Sequence, residues 1–119
     1  MALIPSSPVR EFTGIAPEQI LLIKAFLQGA VYSRIKNRKG EQFTDGDLGC
    51  GAPYNWEGTP LIVLYEKHIA LGKDSNAAID DCNKDLSRLL KAVLVEDGRH
   101  FEVGRSGTTT FYRWVEDAL

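Results

Sequence analysis

Between Ser75 and Leu94 the apolar residues Ile79, Cys82, Leu86, Leu89 and Val93 recur at steps of 3, 4, 3 and 4, with Leu90 and Leu94 alongside. That spacing marks one face of an α-helix, whose turns hold 3.6 residues. The residues after it narrow the fold further. Residues 99–103 (RHFEV) and 109–115 (TTFYRWV) alternate in the strand sense, and the turn between them contains Gly104 and Gly107. A long amphipathic helix feeding a two-stranded hairpin therefore sets the last third of the fold.

The rest of the chain reads as helices and loops. Residues 1–13 carry Pro5, Ser6, Ser7 and Pro8 and form an extended arm; residues 14–119 form one domain. A first helix begins near Pro17, with proline in the first turn and Glu18 beside the helix N-terminus. Ile20, Ile23, Leu27, Val31 and Ile35 make its buried stripe, widened by Leu22, Phe26 and Ala30. It ends in the basic turn Asn37, Arg38, Lys39 before Gly40. Glu41-Gln42-Phe43 is a candidate short strand. Thr44 and Asp47 have capping-box spacing and open a helical turn at 45–48. Thr59-Pro60 starts a helix over 60–71 with Leu61, Leu64 or Tyr65, His68 and Leu71 inward, stopped by Gly72. The expected class is α+β, mostly helical, with a core of three or four helices and a C-terminal β-hairpin.

Composition removes several alternatives. At 119 residues the chain is long enough for a core without staples, and 44% hydrophobic with 25% charged residues is ordinary for a globular protein. No apolar run approaches the ~18 residues of a membrane span, and the N-terminus shows no basic region followed by an apolar stretch, so a cytoplasmic protein without membrane contact is expected. Cys50 and Cys82 form neither a disulfide framework nor, with His68 and His100, a zinc pattern, since the spacing contains no close ligand pair. Asp45-Gly46-Asp47 fails the calcium-loop template: Gly49 stands where a third oxygen ligand is wanted, Trp56 holds the twelfth position and Glu57 comes one residue late. Gly49-x-Gly51 lacks the rest of a dinucleotide fingerprint, and Ser106 has no nucleophile-elbow context. No catalytic constellation and no cofactor is expected.

The order helix, short strand, helices, hairpin resembles the winged-helix superfamily over roughly residues 16–115. The helix 60–71, the turn opened by Gly72 and the helix 75–94 look like a helix-turn-helix. The segment 44–58 exceeds the minimal pattern; it could instead supply the second helix, with 60–71 as an insertion. The resemblance implies a second helix in the major groove of a duplex and a hairpin on the adjacent backbone.

Several cations fit that implication. Lys84, Arg88 and Lys91 share one face of the long helix, and Arg105 lies in the hairpin turn, where wing arginines meet phosphate or the minor groove. Arg34, Lys36, Arg38 and Lys39 form the densest basic run. Each has a plainer explanation. Asp80 sits four residues before Lys84, in ion-pair spacing, and cations suit a helix C-terminus without any partner. Asp80, Asp81 and Asp85 also oppose a polyanion, as does a net charge of −2. Double-stranded DNA is the expected partner. The alternative is a protein-interaction or assembly module, with the Tyr54–Trp56 loop as the anchor; the plainer reading has Trp56 closing over the core. A homodimer is compatible with either. His68, on an apolar helical face, reads as a satisfied core histidine.

Overall fold

A computed structural model describes residues 2–3, 14–48 and 53–115. The elements are β1 (Ala2–Leu3), α1 (Pro17–Asn37), two single 3₁₀ turns (Gly46–Leu48 and Pro53–Asn55), α2 (Ile62–Ala70), α3 (Ser75–Asp97), β2 (Phe101–Ser106) and β3 (Thr109–Trp114). The class is α+β and mostly helical, as expected. The described parts of 46–55 form 3₁₀ turns, and among the described residues α2, the turn 71–74 and α3 are the consecutive helix pair. Residues 4–13 of the expected arm and Cys50 lie outside the described residues.

Local chemistry sets the boundaries. The Ala16 amide donates to Gln19 Oε1 at 3.0 Å, and Pro17 opens α1. The Thr44 amide donates to Asp47 Oδ2 at 3.0 Å while the Asp47 amide donates to Thr44 Oγ1 at 3.2 Å, the reciprocal pair that a capping box requires. Asp74 caps α3 by accepting from the Ala77 amide at 2.9 Å. Gly98, at φ 85°, takes the left-handed conformation that ends α3. That end lies three residues beyond the expected Leu94. The Thr59 hydroxyl donates to the Trp56 carbonyl at 2.7 Å and accepts from the Leu61 amide at 3.2 Å. Thr59 and Pro60 thus form a turn, and α2 begins at Ile62 rather than at Pro60.

The core joins the predicted stripes. Ile23, Leu27, Val31 and Ile35 of α1 pack with Cys82, Leu86, Leu89, Leu90, Val93 and Leu94 of α3. Leu61 and Leu64 close it from α2, and Trp56 is 1% exposed beneath its loop. Two leucines depart from expectation. Leu22 is 59% exposed because it stands about 100° around the helix from Ile23. Leu71 is exposed because α2 ends before it.

The sheet runs β1-β2-β3, antiparallel throughout. The expected strand at 41–43 reduces to one bridge on the free edge of β3. Phe43 donates its amide to the Tyr112 carbonyl at 2.7 Å and accepts the Tyr112 amide at 2.8 Å. Its ring meets Phe101 edge-on at 6.3 Å and Tyr112 at 5.9 Å. The hairpin register pairs Ser106 with Thr109, so only Gly107 and Thr108 make the turn, with Gly107 at φ 61°. Gly104 is therefore not in the turn: it pairs with Phe111 inside the sheet, and Arg105 pairs with Thr110. A two-residue turn leaves every other position in strand register.

Trp56→Ala should lower unfolding free energy by about 3–5 kcal/mol, measured by urea denaturation of the whole chain, because the indole is enclosed on all sides.

Candidate nucleic-acid interface

Strand period decides which hairpin side chains face the helices. Phe101 and Tyr112 are buried on the inner face of the sheet. Val103 and Arg105 on β2, with Thr110 on β3, share that face by the two-residue repeat. Beyond the apolar floor of Val103 and Tyr112, Arg105 reaches a groove of about 310 Å³ that Ser87, Arg88 and Lys91 of α3 line from the other side, with Thr110 completing it. Three of the four cations expected to act together, Arg88, Lys91 and Arg105, thus come from α3 and the hairpin to one concavity. A smaller hollow of about 170 Å³ shares Ser87, Thr110 and Tyr112 and brings in Asp45. Burial, and then the charge of Asp45, raise the Tyr112 phenol above its ordinary range, so it faces these hollows neutral.

The other expected cations are arranged differently. Lys84 is exposed, one turn before Arg88, 3.9 Å from Asp81 rather than beside Asp80. Arg34 donates to the Gln42 carbonyl at 3.1 Å and lies 3.9 Å from Glu41, which Arg38 also approaches at 3.6 Å. Lys39 stands 5.7 Å from the Trp114 ring, at the base of the hairpin. Lys36 is exposed on α1. The basic run thus surrounds the end of α1, away from the groove lining.

The α3 carboxylates that weigh against a polyanion are mostly engaged. Asp85 is 5% exposed rather than a surface acid. Its Oδ2 accepts from Lys67 Nζ at 2.9 Å and from His68 Nε2 at 2.8 Å. Lys73 donates to His68 Nδ1 at 2.7 Å and to Asp81 Oδ2 at 2.7 Å. Since an ammonium only donates, Nδ1 must accept, and the ring proton therefore sits on Nε2, aimed at Asp85. His68 is the satisfied core histidine expected of its position. The hydrogen bond from Lys73, then the charges of Lys73 and Lys84, hold the Asp81 carboxyl below the usual aspartate range against the opposing effect of burial. Arg88 approaches the free Asp85 Oδ1 at 3.7 Å, which orients the guanidinium beside the groove. Asp80 remains an exposed acid on α3.

Sequence reasoning missed this network, although Asp81 and Asp85 stand one turn apart on α3, with Lys67 and His68 on α2 and Lys73 in the turn that joins the two helices. Trp56 is enclosed, as its plainer reading required, so it offers no surface anchor; the Tyr54 side chain lies outside the described residues. Burial, then the charge of Asp85, push the Cys82 thiol up to about 11. Among the described residues no helix is long and apolar enough to cross a membrane, and no cluster of three metal-ligating side chains occurs. Neither a family model, a curated protein nor a solved structure matches the chain.

Two outcomes test the network. Asp85→Ala strands Lys67 in a largely buried site and should cost about 3–5 kcal/mol of stability by denaturant unfolding. Asp81 has a folded pKa below its unfolded one, so its contribution is present above the ordinary aspartate value, about 3.9, and is lost as pH falls through the folded value. Wild type and Asp81→Asn should therefore differ in thermal stability at neutral pH and converge as pH falls through the folded value.

Proposed function

We propose that this protein binds double-stranded DNA through the groove between α3 and the hairpin, as a small regulator of winged-helix type working in the cytoplasm. The observation that carries the reading is the meeting of Arg88, Lys91 and Arg105 around one concavity that also presents the hydroxyls of Ser87 and Thr110. Three cations with neutral donors between them suit successive phosphates, which position a protein on a duplex. The winged-helix resemblance supports the same assignment, with α3 against the major groove and β2–β3 on the flanking backbone. Engagement of Asp81 and Asp85 by Lys73, Lys67 and His68 weakens the electrostatic objection on this helix. The net charge of −2 then favours local contact over non-specific coating.

The rival reading, an assembly module without nucleic acid, is favoured by the apolar solvent face of α1, where Leu21 and Leu22 are exposed. The two readings use different surfaces and are separable.

A fluorescently labelled duplex of random sequence should bind at low salt, with log affinity falling against log salt at a slope of about −3 if three phosphates are neutralised. Arg88→Ala, Lys91→Ala and Arg105→Ala should each reduce that slope by about 1, whereas Arg38→Ala should leave it unchanged. Absence of binding to duplex and single strands in low salt overturns the reading.

A further inference from the structure

Helix α1 is apolar on both sides. Between Glu18 and Arg34 its only charged residue is Lys24, which reaches across to Glu96 at 2.9 Å. One face is accounted for by Ile23, Leu27, Val31 and Ile35 in the core. The opposite face carries Leu21 at 67% and Leu22 at 59% exposure, with Tyr32 exposed about one turn beyond Gly29. A helix apolar all round is normally covered all round.

Gly29 sharpens the point. It lies in the interior of α1, where glycine weakens a helix relative to alanine. A Cβ built there would meet nothing within 4 Å. The fold of one chain therefore gives no reason for glycine at this position, whereas close approach of another backbone does.

The order of residues on this face identifies the other backbone. Glu18 and Lys36 stand about five turns apart on the same meridian of the helix, since ~18 residues make whole turns. Both are exposed and neither has an ion-pair partner among the described residues. Between them the face is laid out symmetrically about the level of Leu27. Two copies crossing antiparallel at that level place Glu18 opposite the second copy's lysine, Leu22 opposite its tyrosine, and Ala25 opposite its glycine. Small residues meet at the crossing, larger apolar groups meet on either side, and opposite charges close both ends. The Tyr32 ring is already held by the Arg99 guanidinium, 4.6 Å from its centroid, so it presents a fixed surface.

From this complementarity of charge and size we infer that the outer face of α1 is a two-fold interface between two copies of this chain. A two-fold contact requires a patch that matches itself on reversal. This face does so, whereas a parallel pairing would set Glu18 against Glu18 and Lys36 against Lys36. The strip measures roughly 30 Å by 10 Å, less than the ~800 Å² per partner of a standard interface. A contact of that size belongs with weak, reversible associations. It lies on the side of α1 turned away from the core and does not depend on the DNA reading.

Sedimentation velocity of the whole chain from about 1 to 300 µM tests the inference, with circular dichroism as a check on folding. Wild type should pass from monomer to dimer across that range. Gly29→Arg and Leu22→Arg should remain monomeric while retaining helical content, both sites being open to solvent. Glu18→Lys and Lys36→Glu should each weaken association by about tenfold, and the double variant should recover it to within about threefold. A wild type that stays monomeric at the highest concentration overturns the proposal. So does a dimer that survives Gly29→Arg, or charge reversals that add instead of compensating.

Discussion

Phe43 couples the sheet to the helices. It exchanges two backbone hydrogen bonds with Tyr112 and seats its ring between Tyr112 and Phe101, with no part of the residue exposed. A two-stranded hairpin has little stability of its own and takes its orientation from what it packs on. Here the bridge fixes which face of β3 turns inward, and the period of two carries that choice along both strands to Thr110 and Arg105. The position of Arg105 across from Arg88 and Lys91 is thus a consequence of one aromatic residue some sixty positions earlier in the chain.

Charge follows packing in the same way. The chain has 16 acidic and 14 basic residues, a balance that says nothing about where either sign is exposed. Folding places Asp85 between α2 and α3, where Lys67 and His68 answer it, and sets Lys73 between His68 and Asp81. These pairings order the helix pair, burying Asp85 and setting the partly exposed Asp81 against Lys73. Arg88 is held at the edge of the same network, so the groove and the buried pairings are mechanically connected through Asp85.

Helix α1 separates two surfaces. Its inner stripe builds the core with α3, while its outer face carries the reversed symmetry that suits a second copy. An interface there leaves the groove of α3 and the hairpin uncovered, and a two-fold assembly presents two such grooves related by the same axis. Assembly and polyanion contact can therefore coexist in one molecule.

Helix existence, the inner stripes of α1 and α3, the Thr44–Asp47 capping pair and the burial of Trp56 and His68 were all legible, because each depends on neighbours within a few residues or on a simple periodic pattern. The cations of α3 were legible as a face for the same reason. What could not be read was any matter settled by a distant partner. Gly104 belongs to a strand because the turn closes in two residues, Leu22 faces solvent because the core lies on the other side of α1, and Asp85 is buried because α2 supplies a lysine and a histidine. Sequence by itself determined the elements and their faces, through local backbone preference and side-chain period. Only the tertiary structure decided which faces meet, since that choice rests on contacts between residues far apart in the chain.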